Sequence, residues 1–159
     1  MVVAKLPQFT DHIADLRRAF PSALFINIVR DGRAVALSRY QKFRRSHDDD
    51  TAAAMAAQYW VNSLYNVDIQ RHTINLLEFR YEDFCRDVHA WLRRVFAHAN
   101  LNQQPYPFDQ VPCRLQSTSA PRIKELPPAV LTRVQQIEGP MLERFGYIGQ
   151  ADDGGCEFW

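Results

Sequence analysis

Apolar residues along this chain follow two spacings, which predict helices separated by short strands. Residues 8–20 place apolar side chains three to four positions apart, which predicts a helix with Thr10 or Asp11 as its N-cap. Further helical patterns cover Arg33–Arg45, residues 51–71, Arg86–Ala99 and residues 128–145. Nearly continuous apolar runs at Leu24–Val29 and Ile74–Phe79 predict two strands buried on both faces.

The predicted order is helix, strand, two helices, strand, helix, long loop and helix. Strands that alternate with covering helices indicate an α/β fold with a parallel sheet and right-handed crossovers. Residues 1–5, MVVAK, are a candidate third strand, so we expect a partial sheet of two to three strands. Residues 100–121 contain four prolines and no clear period, which indicates a long loop. We expect one domain over residues 1–148 and a flexible tail over residues 149–159.

Composition limits the classes of function that this chain can have. At 159 residues, 47% of them hydrophobic and 23% charged, the sequence is typical of one globular domain. The formal net charge of +1 argues against a general polyanion binder, so any anion site must be local.

Cysteine usage and hydropathy bear on the compartment. Cys85, Cys113 and Cys156 are an odd number at spacings that match no metal site, which favours free thiols in a reducing compartment. There is no apolar run of transmembrane length, and the apolar N-terminus is too short for a signal peptide. We therefore expect a soluble cytoplasmic chain with no metal and no membrane partner.

The turn after the first predicted strand is the main candidate for chemistry. Within LFINIVRDGRAVALS, Arg30 stands at the carboxyl end of the strand, where parallel sheets bind ligands. The helix that follows would offer unpaired N–H groups to an anion. Ser38 lies about two helical turns further on, and Lys42 follows Ser38 by four residues on the same face. An arginine, a hydroxyl and an ammonium are thus placed to bind one phosphate.

A purely structural interpretation of the same turn stays open at this point. In it, Asp31 caps the helix, Gly32 serves the turn, and Arg33 and Lys42 are solvated surface residues. Strand, arginine, glycine and helix in succession are a weak signal without further motifs.

Four segments in order resemble the sulfotransferase family, which uses the donor 3′-phosphoadenylyl sulfate (PAPS). FINIVRDGRAVALS resembles the segment that binds the 3′-phosphate of PAPS. The other segments are AKLPQFTDHIADLRRAFPSALF, LLEFRYEDFCRDVHAWLRRVFAHANL and LPPAVLTRVQQIEGPMLERFGY. The resemblance covers roughly residues 4–147 and is closest to tyrosylprotein and bacterial sulfotransferases, which carry Val-Arg-Asp-Gly-Arg. It implies a P-loop-NTPase-like parallel sheet covered by helices.

The resemblance also implies roles for individual residues. Arg30 and Ser38 match the pair that holds the 3′-phosphate. The full set assigned to the donor nucleotide is Arg30, Ser38, Lys42, Tyr81, Ser117 and Arg122. Lys5 matches a lysine that stabilises the sulfuryl transition state, because a positioned ammonium favours the charge on the leaving phosphate oxygen. Trp60 falls where the family has a tryptophan in its long helix, and core packing explains it equally well.

One family segment has no counterpart in this sequence. Family members begin with a strand and a loop of the type Arg-Ser-Gly-Thr-Thr that cradles the 5′-phosphosulfate. The six glycines here stand in no such setting. We therefore expect the C-terminal part of the family fold, without half of the donor site and the catalytic base, and no independent transferase activity.

Three function hypotheses follow from the sequence. The first is a sulfotransferase domain that contributes the 3′-phosphate half of a PAPS site, for transfer to a hydroxyl or amine acceptor with 3′,5′-ADP (PAP) as product. The second is a non-catalytic module that binds a nucleotide or a protein, where a partner chain or a second copy completes the sheet. The third, nucleic-acid binding, is disfavoured by the near-neutral charge. It would use Arg39, Lys42, Arg44 and Arg45.

Overall fold

The computed structural model describes residues 3–5, 7–101, 105 and 108–149. Within these residues the chain is α/β, with seven α-helices and a two-stranded parallel sheet that matches part of a P-loop-like sheet. The elements are α1 Ile13–Ala19, β1 Leu24–Val29, α2 Gly32–Phe43, α3 Asp49–Gln70, β2 Asn75–Arg80, α4 Tyr81–Arg86, α5 Val88–His98, α6 Ser119–Lys124 and α7 Pro128–Arg144, with 3-10 helices at Pro7–His12 and Phe108–Gln110. None of these described helices is long and apolar enough to cross a membrane.

Two compact units divide the chain. The first consists of Met1–Arg30 with Asn62–Pro121, and the second of Asp31–Val61 with Arg122–Trp159. The division falls inside α3 and α6, so each of these helices contributes to both units. The expected tail lies outside the described residues from residue 150 onward, as does Cys156.

The sheet belongs to the first unit and brings two strand ends together. β1 and β2 pair in parallel with Leu24 opposite Asn75 and Val29 opposite Arg80. Because parallel strands end at the same edge, the residues that follow β1 and β2 become neighbours there. The predicted bounds of β1 and the parallel pairing are confirmed.

The prediction that β1 is buried on both faces is wrong. Leu24, Ile26 and Ile28 are 39%, 44% and 51% exposed. These residues alternate along the strand and therefore share one face, since successive side chains point to opposite sides of a sheet. A continuous apolar run shows that a strand carries two apolar faces, and it does not show that both are covered.

The second unit has a core of small and aliphatic side chains. The alanines of α3 repeat at positions one and four apart, which places them on one face and lets another helix approach closely. The buried cluster comprises Ala36, Leu37 and Tyr40 of α2, Ala52, Ala53, Ala56 and Ala57 of α3, Leu126, and Val130 and Val134 of α7. Asp48 precedes α3 and caps it by accepting hydrogen bonds from the Thr51 amide and hydroxyl.

Backbone hydrogen bonds in the first unit attach the long loop to two helices. The Val88 amide donates to the Cys113 carbonyl at 2.9 Å, and the Leu115 amide donates to the Cys85 carbonyl at 2.8 Å. The loop residues that follow Leu115 are therefore held beside α4. Cys85 is buried and Cys113 is exposed, and both are free thiols, as predicted for them.

Several helix boundaries differ from the predictions. The first α-helix begins at Ile13 after a 3-10 turn, and Asp11 accepts a hydrogen bond from Asn66 at 3.0 Å instead of capping it. The predicted helix over Arg86–Ala99 corresponds to α5, which begins at Val88 because Asp87 caps it through the Ala90 amide. The short helix α4 that precedes it was not predicted.

Further departures lie at the N-terminus and in the predicted loop. Residues 3–5 form no strand, and residues 1 and 2 lie outside the described part. The predicted loop over residues 100–121 contains a 3-10 turn at Phe108–Gln110, and α6 begins inside it at Ser119.

Candidate functional site

The carboxyl edge of the sheet carries Arg30 and Tyr81. Arg30 follows the last residue of β1, and Tyr81 follows the last residue of β2 and begins α4. The guanidinium carbon of Arg30 lies 4.9 Å from the centre of the Tyr81 ring, a cation–π contact. Two of the residues predicted from the sequence are therefore brought together.

The end of the long loop supplies two hydroxyl groups to the same arginine. Arg30 Nε donates to Ser119 Oγ at 3.0 Å, and Arg30 Nη2 donates to Thr118 Oγ1 at 2.8 Å. Ser119 is buried at 4% exposure, whereas Thr118 is exposed. One end of the guanidinium is thus anchored inside the first unit, and the other end meets a hydroxyl at the surface.

A carboxylate completes this arrangement. Ser119 Oγ donates to Glu82 Oε1 at 2.5 Å, and the Ser119 amide donates to Ser117 Oγ at 3.3 Å. We call Arg30, Tyr81, Glu82, Thr118 and Ser119 the Arg30 cluster. All five residues lie in the first unit.

Tyr81 keeps its proton at neutral pH. A hydrogen bond with the Cys85 thiol, followed by burial, raises the pKa of Tyr81 above its ordinary value. Arg30 and a hydrogen bond from Thr118 act in the opposite direction on this pKa and do not reverse the shift. The phenol is therefore a neutral hydrogen-bonding group beside the Arg30 guanidinium.

The start of α2, in the second unit, is capped by the side chain of Asp31. Asp31 Oδ1 accepts from the Arg33 amide at 3.0 Å, which makes Asp31 the N-cap. The Arg33 guanidinium pairs with both oxygens of Asp31 at 3.0 and 2.7 Å, and it also donates to the Tyr147 carbonyl at 3.3 Å. The interpretation of Asp31 as the helix cap is therefore confirmed. The interpretation of Arg33 as a solvated surface residue is wrong, because its side chain is 16% exposed and paired with Asp31.

A buried acid lies against the same helix start. Glu138 of α7 is fully buried, and neither of its carboxyl oxygens has a hydrogen-bond partner within the described part of the chain. A Cβ atom at Gly32 would collide with Glu138 Oε2 and come within 2.6 Å of the Trp60 ring. Position 32 therefore requires a glycine, because Glu138 and Trp60 pack too closely against it for any side chain. An anion bound at this helix start would lie near two carboxyl groups.

Burial governs the protonation of Glu138. Burial and the neighbouring Asp31 carboxylate raise the pKa of Glu138 to about 9, and the Arg33 guanidinium offsets only part of this rise. Glu138 is therefore a neutral carboxylic acid at physiological pH.

The other donor-binding candidates of the second unit lie on or beside α2. Ser38 is exposed and donates to the Val35 carbonyl at 3.0 Å within its own helix. Lys42 is exposed on the following turn. Arg122 Nε donates to the Ala34 carbonyl at 3.3 Å, so this guanidinium contacts the backbone of α2.

The remaining candidates have different surroundings. Lys5 is exposed in a segment without regular structure. Trp60 is 5% exposed in the core of the second unit. In the basic group considered for nucleic acid, the Arg39 guanidinium lies 3.7 Å from the Tyr59 ring centre and that of Arg44 lies 5.3 Å from the Tyr40 ring centre.

Four residues of the Arg30 cluster and of the start of α2 were not predicted from the sequence: Glu82, Thr118, Ser119 and Glu138. A signal for Glu138 was present, because it stands in the four-residue spacing of the buried α7 side chains Val130, Val134 and Leu142. No spacing indicates Thr118 or Ser119, since their positions depend on the anchoring of the long loop.

The fold and the site define a class of protein. An α/β domain with an arginine, hydroxyl groups and a phenol at the carboxyl edge of a parallel sheet is suited to bind an anionic ligand. A sulfotransferase family model matches residues 1–105, and the chain belongs to this family. Membership supports sulfuryl transfer as the general chemistry and implies a PAPS donor in general terms.

The family match covers some candidates and leaves others outside. Lys5, Arg30, Ser38, Lys42 and Tyr81 lie within the matched residues. Ser117 and Arg122 lie beyond them. No match was found among curated proteins or among solved structures.

Proposed function

We propose that this chain contributes the 3′-phosphate half of a binding site for PAPS and for its product PAP. In a complete enzyme, the sulfuryl group leaves the 5′-phosphate oxygen of PAPS and bonds to the oxygen or nitrogen of a hydroxyl or amine acceptor. The acceptor proton passes to a base, and PAP is released. Family membership supports the reaction class.

The Arg30 cluster is the observation that carries this proposal. Arginine presents planar N–H donors that fit the oxygens of a phosphate, and here its plane is set by Ser119 on one side and Tyr81 on the other. Thr118 is exposed, so a phosphate arriving from solvent has access to that end of the guanidinium. The hydroxyls and the phenol would add uncharged hydrogen bonds to the ligand.

The roles of the other candidates rest on the resemblance in sequence. Ser38 and Lys42 are proposed for the 3′-phosphate, and Ser117 and Arg122 for the donor nucleotide. Lys5 is proposed to stabilise charge on the leaving phosphate oxygen, and its exposure leaves the ammonium accessible. Each role is testable by itself, because each residue can be replaced singly.

Calorimetric titration with PAP tests the proposal. We expect the wild-type chain to bind PAP and Arg30→Ala to bind about a hundredfold more weakly, since truncating one partner of a charged pair costs about 2–5 kcal/mol. Ser38→Ala should bind more weakly by about tenfold, the value of one hydrogen bond to a charged group. Arg17→Ala, an exposed arginine of α1, is the control and should leave binding unchanged.

The proposal is overturned if the wild-type chain does not bind PAP, or if Arg30→Ala binds it as tightly as the wild type. If Ser38→Ala alone is without effect, the role of Ser38 is wrong and that of Arg30 stands. Circular dichroism of each variant, compared with the wild type, confirms that the changes do not arise from unfolding.

The exposed face of β1 favours a second candidate function. Leu24, Ile26 and Ile28 place three large aliphatic side chains at the surface, and parallel sheets are usually covered on both faces. A non-catalytic module that binds a nucleotide and a partner protein or a second copy would use such a face. PAP binding without turnover of PAPS favours this module, whereas transfer of the sulfuryl group to an added hydroxyl or amine excludes it.

A further inference from the structure

We propose that Glu82 and Ser119 are positioning residues that hold the Arg30 guanidinium in its phosphate-binding orientation, an inference that rests on the proposed function. Neither residue was assigned a role by the sequence. Both act on Arg30 through hydrogen bonds inside the first unit, where Ser119 stands between the carboxylate and the guanidinium.

The direction of the hydrogen bonds explains how the carboxylate acts at a distance. A serine hydroxyl has one hydrogen to donate and two lone pairs to accept with. Ser119 gives its hydrogen to Glu82 Oε1 at 2.5 Å, which turns its lone pairs toward Arg30 Nε at 3.0 Å. Glu82 therefore makes Ser119 an acceptor for Arg30, and the negative charge of Glu82 faces the positive charge of Arg30 across one oxygen atom.

Burial restricts the movement of the hydrogen-bonded chain from Glu82 through Ser119 to Arg30. Ser119 is 4% exposed and forms the first residue of α6, and its amide is held by Ser117 Oγ. Hydrogen bonds among partly buried polar groups are stronger than those in water and less easily exchanged for water. A hydroxyl with fixed position and fixed proton direction restricts the rotation of a long arginine side chain, which lowers the entropy cost of binding a phosphate.

The inference predicts an effect that is confined to one part of the ligand. If Glu82 acts through Arg30, and Arg30 binds the 3′-phosphate, then loss of Glu82 should weaken PAP and leave 5′-AMP, which has no 3′-phosphate, unaffected. A merely structural role would weaken both nucleotides. The effect of the substitution should also vanish when Arg30 is already alanine, because the two residues then share one function.

The experiment is a calorimetric comparison of PAP and 5′-AMP on five forms of the full chain: wild type, Glu82→Ala, Glu82→Gln, Arg30→Ala and the double variant of Arg30→Ala with Glu82→Ala. We expect Glu82→Ala to weaken PAP binding by about tenfold, the value of one hydrogen bond involving a charged group. Glu82→Gln retains an acceptor for the Ser119 hydroxyl and should recover part of this loss. The double variant should bind PAP like Arg30→Ala alone.

Asp83→Asn is the matched control, because this neighbouring carboxylate pairs with Arg86. It should leave both affinities unchanged.

The outcomes separate this inference from the proposed function. Failure of the wild type to bind PAP refutes the proposed function and, with it, this inference. If PAP binds through Arg30 but Glu82→Ala binds it with wild-type affinity, the proposed function stands and the positioning role is wrong. Equal weakening of PAP and 5′-AMP, or a further loss in the double variant, also overturns the positioning role.

Discussion

Replacing Glu138 by glutamine should raise the stability of this protein relative to the wild type, by an amount that grows as the pH rises above the acidic range. Glu138 is fully buried on α7, where the Asp31 carboxylate raises its pKa and the Arg33 guanidinium acts in the opposite direction. Burial first, and Asp31 second, raise the pKa of Glu138 to about 9. The native state therefore holds a proton on Glu138 at pH values where an unfolded glutamate has lost it.

The sign of the effect follows from this proton. An unfolded glutamate has its ordinary pKa of 4.5, whereas the pKa of folded Glu138 is about 9. Between these values the native state binds one proton more than the unfolded state, so the free energy of unfolding falls by about 1.4 kcal/mol per pH unit. The stabilising contribution of protonated Glu138 is complete below pH 4.5 and is lost as the pH rises through 9.

The magnitude is large compared with the stability of an ordinary domain. At pH 7 the accumulated loss is about 3 kcal/mol, within a total that is commonly about 5–15 kcal/mol. A glutamine has nearly the same shape as the protonated acid and does not titrate. Between about pH 5.5 and about pH 8.5, the stability of Glu138→Gln relative to the wild type should therefore rise by about 4 kcal/mol.

Equilibrium unfolding in urea, followed by tryptophan fluorescence at several pH values, measures this difference. The slope with pH decides the outcome, because a buried amide also changes the absolute stability by an amount that does not depend on pH. Glu143→Gln, at an exposed position of the same helix, should show the wild-type pH dependence. Wild-type and Glu138→Gln curves that run parallel from about pH 5.5 to about pH 8.5 would refute the reasoning.

Three further substitutions test the packing of the second unit. Gly32→Ala should lower the free energy of unfolding by about 1–3 kcal/mol, because the new methyl group meets buried atoms, whereas Gly139→Ala in open space should be neutral or stabilising by up to about 1 kcal/mol. Equal behaviour of the two alanine variants in urea would contradict the close approach at Gly32. Tyr40→Phe should cost about 1–3 kcal/mol, since it removes a 2.8 Å hydrogen bond to Asp49, and an unchanged melting temperature would show that this bond adds nothing.

Local patterns were sufficient to predict the strands and the longer helices. β1 was predicted with its observed bounds because its apolar run lies between Pro21-Ser22 and Arg30, which interrupt any continuing period. Both ends of α2 and both ends of α7 were predicted to within two residues. The six-residue helices α4 and α6 were not predicted, because each is too short to show a helical period.

The Arg30 cluster was only partly predictable because it combines two kinds of information. Arg30 and Tyr81 follow strands, and the register of a parallel pair makes such residues neighbours without any knowledge of side-chain packing. Thr118 and Ser119 come from a loop without a period. Their position depends on backbone hydrogen bonds between residues far apart in sequence, and single-sequence spacing does not reveal such bonds.

The side chains of the motif Arg30-Asp31-Gly32-Arg33 have different roles. Arg30 engages the hydroxyls of the first unit, while Asp31 and Arg33 engage each other at the start of α2 in the second unit. The helix start is therefore supplied with an acceptor from within, because the Asp31 carboxylate accepts from the Arg33 amide, and the negative charge of Asp31 disfavours an external anion there. An anion attracted to this motif has its strongest partner in the Arg30 side chain. Substituting Arg30 should for this reason affect phosphate binding, whereas substituting Asp31 should affect the stability of the helix.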